Sequence, residues 1–327
     1  MKITVLGTGA WGTALAILLS QNKHQVTLWS ALKWQLEEIR NTGRNSSCLK
    51  GILLPKGFIL EDDISEATKT AEVIVVAVAS QYFRQTAQKI SSFKGLVISV
   101  TKGIEFDTGL TMSGILKETI PSCIPLALSG PSLADEVARG VPTAVVAACP
   151  NTSYSKLAQD LFHTTTFRVY TSQDILGVEL GGALKNIIAI GAGICDGMNF
   201  GANSKAALVT RAIVEIRRLG TAMGADPGTF VGLSGLGDLM VTCFSPLSRN
   251  HFVGECLGKG EKLSDILSRM NAVAEGVPTA SAAKKLSQKY NVETPIMSEI
   301  YSILHGEKTV KEALSTLVGR SQKSEQP

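Results

Sequence analysis

Lys185 stands in GGALKNIIAIGAG, residues 181–193, a run otherwise built from Gly, Ala, Leu, Ile and one Asn. An ammonium buried there without a partner costs several kcal/mol. Either its stem carries the charge out to water, or burial lowers its proton affinity so that it can exchange a proton near neutral pH. GLSGLGDLMVTC, residues 232–243, sets Asp238 at a glycine-rich helix entry, and a carboxylate brought near Lys185 would oppose that desolvation. SPLSRNH, residues 245–251, gathers Ser248, Arg249 and Asn250. Hydroxyl, guanidinium and amide donors in a row suit a phosphate, although the same trio also makes an ordinary solvated helix start. Lys102, in VTKGIE, could neutralise an anion or polarise a carbonyl, or lie in a surface loop. In LSGPSLADE, residues 128–136, Ser132 and Asp135 are spaced as a capping box. Gly130, Ser132 and the amides near Ala134 could equally line a cleft. The four histidines, 24, 163, 251 and 305, are scattered and support neither a metal site nor a Ser/His/Asp triad.

Gly7-Thr8-Gly9-Ala10-Trp11-Gly12 fits G-x-G-x-x-G between an apolar run and a helical stretch. The first glycine permits the tight turn, the second lets backbone approach a pyrophosphate, and the third allows close helix–strand packing. In that context the loop predicts dinucleotide binding. The Asp or Glu that holds a ribose 2′-hydroxyl about 20 residues later is missing, since the second strand runs into LWSALKW. Ser30 or Lys33 could donate to a 2′-phosphate instead, so NADPH is expected, with NADH also accommodated. Lys33 reads equally as a solvated helix charge.

These residues need a scaffold. Short apolar runs at 3–7, 25–29, 72–78, 95–100, 125–130, 143–149 and 167–171 read as strands, with helices at 12–22, 31–42, 81–92, 132–139 and 152–162. Buried strands alternating with helices imply an α/β fold, a Rossmann-type, doubly wound, mostly parallel sheet. Beyond 174 the pattern is helical throughout: 176–196, 203–223, 235–243, 246–257, 263–271, 278–288, 295–305 and 309–318. The expected organisation is a dinucleotide-binding domain over 1–174, an all-α substrate domain over 175–320 and a tail at 321–327. Gly193, Gly197 and Gly201 space a helix face that permits a homodimer, or close packing within one subunit.

The 327 residues carry a net charge of +4, without basic runs, which argues against nucleic acid and for small anions. Six separated cysteines form no CxxC pair, and no signal-peptide pattern precedes the first strand, so free thiols and a cytoplasmic location are expected. The longest run of apolar or small residues, 187–195, is far too short to span a bilayer, so no membrane insertion is expected.

In order, GTGAWGTALA, VTKGIE, SGPSLADE, ELGGALKNIIAIGAG, NSKAALVTR, GLSGLGDLMVTC, SRN and AEGVPTA resemble the bacterial NAD(P)-dependent sn-glycerol-3-phosphate dehydrogenases over residues 1–320. The resemblance implies cofactor binding through the glycine loop with Trp11, Lys102, Ala134, Arg249, Val273 and Glu275. It implies that dihydroxyacetone phosphate or glycerol 3-phosphate is held by Lys102, Gly130, Ser132, Lys185, Asp238, Ser248, Arg249 and Asn250. Lys185 matches the family's proton-transferring residue, with Asp238 and Lys102 beside it in the catalytic set. LWSALKW lacks the basic residue often found after the second strand, and Cys48 and Lys50 replace a usual aromatic and proline.

The expected reaction is reduction of the C2 ketone of dihydroxyacetone phosphate, without a metal, to supply glycerol phosphate for phospholipid synthesis. Protonated Lys185 would stabilise and then protonate the developing alkoxide. A 3-hydroxyacid dehydrogenase would instead need an anion site shaped for a carboxylate. A non-catalytic nicotinamide sensor would have no use for Lys185, Asp238 and Arg249.

Overall fold

The computed structural model describes residues 1–270, 272–322, 324 and 325. Strands β1 (Lys2–Leu6), β2 (Gln25–Trp29), β3 (Ile59–Glu61), β4 (Val73–Val76), β5 (Leu96–Ser99), β6 (Ile124–Ser129), β7 (Thr143–Ala148) and β8 (Phe167–Ser172) form one eight-stranded sheet. Their order is β3-β2-β1-β4-β5-β6-β7-β8, and every pairing is parallel except β6 with β7. The chain leaves β1 toward β2 and β3, then returns to place β4 on the other side. The carboxyl ends of β1 and β4 therefore flank the switch point where ligands bind in doubly wound sheets.

Helices α1 (Ala10–Gln21), α2 (Lys33–Thr42), α3 (Ile64–Thr68), α4 (Ser80–Gln88), α5 (Met112–Thr119), α6 (Ala134–Ala138) and α7 (Thr152–Phe162) flank the sheet. VIVV of β4 and LVIS of β5 are buried at every position because helices cover both faces. Leu15, Leu19 and Ala158 pack on one face, and Phe83, Ile115 and Leu116 on the other.

Three elements have no counterpart in the sequence reading. β3 is a three-residue edge strand beside charged residues, α3 has five residues, and α5 is an eight-residue helix with Gly114 in its first turn. Each is too short for a periodic signal. The capping box is also corrected. α6 starts at Ala134 with Leu133 as an uncapped N-cap, while Asp135 forms a bidentate pair with Arg139 one turn on. Ser132 turns away and donates to the carbonyl of Gly130.

After Ser172 the described residues contain no strand. They form α8 (Ile175–Gly197), α9 (Ala202–Ala222), a 3₁₀ turn (Pro227–Val231), a π turn (Leu233–Gly237), α10 (Asp238–Phe244), α11 (Arg249–Gly258), α12 (Leu263–Ser268), α13 (Gly276–Lys289), α14 (Pro295–Leu304) and α15 (Val310–Val318). α8 is long and apolar enough to cross a membrane, yet its most apolar window is 94% buried inside the fold. It is the axle on which the other helices pack.

Four glycines explain how closely. A Cβ at Gly193 would stand 2.0 Å from the His251 carbonyl oxygen, and one at Gly197 would stand 2.2 Å from that of Glu255. The matching positions on α11 are as tight: 1.9 Å from Ile190 O at Gly254, and 2.6 Å from Ile194 O at Gly258. α8 and α11 thus meet backbone to backbone, and Gly193 and Gly197 serve this contact within the chain. Gly201 has nothing near it. Gly254→Ala is therefore expected to destabilise the fold by about 1–3 kcal/mol through overpacking. Gly201→Ala should stay within about 1 kcal/mol of the parent. Thermal unfolding of the two variants side by side checks this.

Candidate active site

The site forms where α8 and α10 meet the carboxyl edge of the sheet. Lys102, just beyond β5, reaches Asp238 Oδ2 at 2.6 Å and the Gly130 carbonyl at 3.0 Å. Lys185, mid-way along α8, reaches Asp238 Oδ1 at 2.6 Å and Thr242 Oγ1 at 2.5 Å. One carboxylate, 1% exposed, thus bridges two lysines that lie 83 positions apart in the chain. Lys185 does not reach water by its stem: its side chain is only 7% exposed. Thr242 falls on the same face of α10 as Asp238 because they are four residues apart, a spacing visible in GDLMVTC but unused in the sequence reading. The π turn preceding Asp238 is of the kind often found at functional sites.

The small residues around Lys185 have a different role from the one their size suggests. Size alone would make Gly181 and Gly182 look like room for a substrate. A Cβ on Gly181 would stand 2.6 Å from the Ser234 carbonyl oxygen, and one on Gly182 would stand 2.6 Å from Ser129 Oγ. Both glycines let the π turn and the sheet edge close onto α8, which brings Asp238 and Lys102 within reach of Lys185.

Burial pushes the Lys185 ammonium down to about 8, with Lys102 acting in the same direction and the Asp238 carboxylate opposing both. A base whose affinity is lowered to that range is protonated below it and neutral above it. Reduction of a ketone with Lys185 as acid should hold a plateau below about pH 8 and fall tenfold per unit above it. The reverse oxidation should rise through the same pH and level off above it. Initial rates in both directions across pH 6–10, a range chosen to span that value, provide the check.

Arg249 opens α11, is exposed, and its guanidinium makes no hydrogen bond among the described residues. Desolvation by its surroundings lowers its affinity for the proton, partly offset by nearby Glu275. A free guanidinium at a helix N-terminus suits an anion. Ser248 is the cap of that helix, accepting from His251 N at 3.2 Å. Asn250 Nδ2 donates to Asn186 Oδ1 at 2.9 Å, and its Oδ1 accepts from Gly276 N at 2.9 Å. Asn250 therefore ties α8, α11 and α13 together and keeps one amide hydrogen free. Asn186, which completes this link, was not among the expected residues; it adjoins Lys185 in sequence.

The glycine loop fits a dinucleotide. Gly7 has φ +120° and faces the Ala77 carbonyl, where a Cβ would stand at 2.8 Å, and a Cβ on Gly12 would stand 2.1 Å from Gly7 O. Gly9 has nothing within 4 Å, so packing does not require a glycine there. The open space lies before α1, whose first turn carries no acid, as a pyrophosphate would need. Ala10 begins that helix, and Trp11 leans against Phe167 with ring centres 6.5 Å apart. Ala134 begins α6, which packs against α1.

Ser30 and Lys33 are engaged elsewhere. The Ser30 hydroxyl is buried, accepts from Thr8 Oγ1 and the Leu32 amide, and also lies against Gln35. Lys33, 78% exposed, pairs with Asp62 at 2.7 Å, an acid contributed from beyond the neighbouring strand β3. An exposed pair of this kind adds little to stability and exchanges readily. Glu275 accepts from Ser80 N at 2.9 Å and Ser80 Oγ at 2.5 Å, fastening the start of α13 to the first residue of α4. Val273 lies just before it, half-buried. Ser80 was not foreseen, although its place after β4 at the switch point marks it. No group of three or more potential metal-ligating side chains is found among the described residues, and all six cysteines are free thiols.

Two family models match the chain. NAD-dependent glycerol-3-phosphate dehydrogenase N-terminus covers residues 2–155 and the corresponding C-terminus covers 174–315. Among curated relatives, glycerol-3-phosphate dehydrogenase, NAD(P)+, of Thermoanaerobacter sp. (strain X514) is 47% identical over 99% of both chains. The protein of that name from Prosthecochloris aestuarii is 46% identical over 99% of this chain and 100% of its own. The crystal structure of glycerol-3-phosphate dehydrogenase from Coxiella burnetii superimposes with a TM-score of 0.94 at 33% identity, covering 98% of this chain and 99% of that one. A D-mandelate dehydrogenase shares the fold at a TM-score of 0.64 and 15% identity, covering 94% of this chain and 98% of that one.

Proposed function

Since the chain belongs to the NAD-dependent glycerol-3-phosphate dehydrogenase family, we propose how its residues divide the work of that reaction. The chain is an NAD(P)-dependent oxidoreductase that reduces dihydroxyacetone phosphate to sn-glycerol 3-phosphate, reversibly. When bound, the reduced nicotinamide supplies the hydride that reaches the C2 ketone.

Lys185 donates a hydrogen bond to the C2 oxygen, and then the proton, as charge develops there. Asp238 holds Lys185 and Lys102 in place and keeps an ammonium affordable inside the fold. Lys102, anchored at Gly130, completes a positively charged wall, and Ser132 lines the same edge. Arg249 and the free amide hydrogen of Asn250 grip the phosphate, with Ser248 holding their helix turn. Remote binding energy then aligns the ketone for reaction. Residues 1–174 carry the cofactor and 175–320 most of the substrate contacts, so closure of the halves would exclude water. The observation that carries this reading is the Lys102–Asp238–Lys185 bridge, which joins the sheet edge to the helical half beside an open glycine loop.

NADPH is the preferred cofactor in this reading, because the segment directly after β2 holds no acid before Glu37, and Lys33, which screens the Asp62 carboxylate, can turn to a 2′-phosphate. The product would serve as the glycerol backbone for phospholipids in the cytoplasm, made by a homodimer. Consumption of NADPH and NADH with dihydroxyacetone phosphate, followed by near-ultraviolet absorbance, tests the assignment. Higher kcat/KM with NADPH that Lys33→Glu reverses is the expected result. A preference for NADH would overturn the cofactor choice, and turnover of a small 3-keto acid in preference to dihydroxyacetone phosphate would overturn the site assignments.

A further inference from the structure

The far end of α8 carries a second charged cluster, more than two helical turns beyond Lys185. Asp196 Oδ2 takes Lys205 Nζ at 2.6 Å and His251 Nε2 at 2.7 Å. The Lys205 and His251 side chains are 15% and 9% exposed, and Lys205 Nζ also stands 5.3 Å from the centre of the Phe244 ring. Lys205 comes from NSKAALVTR, a segment to which the reaction assigns no task.

Its partners lie on the three helices that furnish the helical side of the site. Asp196 shares α8 with Lys185, Phe244 closes the helix that begins with Asp238, and His251 follows Arg249 and Asn250 on α11. Lys205 itself sits in the first turn of α9, which contributes nothing to the site. His251 is held at both ends, its ring by Asp196 and its main-chain N–H by the Ser248 cap. The glycine contacts set how closely α8 and α11 lie, but such van der Waals contact is not directional. Hydrogen bonds are: Asn250 to Asn186 fixes one side of the first turn of α11, and the charge-assisted bonds through Asp196 fix the other, constraining rotation and register.

We propose that Lys205, Asp196 and His251 are positioning residues that fix the first turn of α11 against α8 and α10, and so aim Arg249 and Asn250 at the substrate phosphate. The inference rests on the reading that Arg249 and Asn250 hold that phosphate. Without Lys205, Asp196 keeps only the histidine, Phe244 loses its cation, and the turn bearing Arg249 loses its side-chain link to the end of α10.

The test compares Lys205→Met, Lys205→Arg and the isosteric Asp196→Asn, in the full chain, on dihydroxyacetone phosphate and on unphosphorylated dihydroxyacetone. Lys205→Met and Asp196→Asn should lower kcat/KM for the phosphorylated substrate about 10- to 100-fold, chiefly through KM. With dihydroxyacetone both should stay within about twofold of the parent, with the KM for NADPH unchanged. Lys205→Arg should recover most of the loss. Equal losses on both substrates would mean general destabilisation, and no loss on either would mean an idle cluster; each overturns the proposal. If Lys205→Met fails to fold, Asp196→Asn, which preserves shape, carries the same comparison. Arg249→Ala separates the two readings. A loss confined to the phosphorylated substrate for Arg249→Ala but absent in the cluster variants would overturn this inference alone. An Arg249→Ala effect shared equally by both substrates, or missing from both, would overturn the phosphate assignment on which it rests.

Discussion

Lys185→Ala is expected to lower turnover by about 10²–10⁴-fold while NAD(P)H still binds. In the proposed reaction the lysine carries the proton, and its proton affinity, near 8, suits a group that must give a proton in one direction and take it in the other. Its distance from the glycine loop along the chain separates the two effects: nothing in β1 or α1 depends on the Lys185 side chain for a hydrogen bond. Fluorescence titration with NADPH, together with single-turnover rates, measures both quantities. Retention of more than about a tenth of the parent kcat would remove Lys185 from the proton-transfer role. The variant also leaves Asp238 paired to Lys102, so the buried carboxylate is not abandoned and the fold should survive.

Asp238→Asn should be harsher on the protein as a whole. The carboxylate is the one acid between Lys102 and Lys185, and removing it leaves two cations facing each other. Breaking a buried pair in this way costs about 3–5 kcal/mol, which urea unfolding would register. The effect on catalysis has a defined sign. Without the carboxylate, burial and Lys102 act on Lys185 unopposed, so its affinity for the proton falls and the reductive pH limb moves below about 8. Less of the enzyme then carries the proton at neutral pH, and kcat for reduction falls with it. Adding Lys185→Met to this variant should restore part of the lost stability, because the unpaired buried charge is gone. A pH limb that stays in place in Asp238→Asn would show that Asp238 does not set the lysine's proton.

The cofactor loop was legible because its chemistry is local. A turn that needs a positive φ, a backbone left bare and a helix that must start at once are all written within six residues; Gly7 has the positive φ and Gly12 the close packing, while the space at Gly9 is open. The sheet and the helical half were legible for a related reason, since burial on two faces or on one stripe leaves a periodic trace in the sequence. β3, α3 and α5 left too short a trace. The capping box at Ser132 failed because spacing alone cannot report where a helix starts. There the carbonyl of Gly130 and the guanidinium of Arg139 claimed the two side chains instead.

The helix-face glycines mark the limit of reading residue size without its neighbours. Gly193 and Gly197 fit a subunit interface or an internal contact equally well until α11 is seen to press its own backbone against them. Gly181 and Gly182 look like space for a substrate and are instead filled by Ser234 and Ser129. Likewise Ser30 and Lys33 stand at the expected place after β2, but each already has a partner from another segment.

The sequence by itself therefore determined the two-part architecture and the sharp turn of the glycine loop, and named Lys185, Asp238 and Arg249 as candidates for proton and phosphate chemistry, because each reading depends on residue type and spacing within a few helical turns. Only the tertiary structure decided that Lys102, Lys185, Asp238 and Thr242 share one buried network, that Asn250 links three helices, and that Arg249 remains free. Those outcomes depend on which distant groups compete for each donor and acceptor. That competition is settled by packing, and in particular by the glycines that let α8 close on its neighbours.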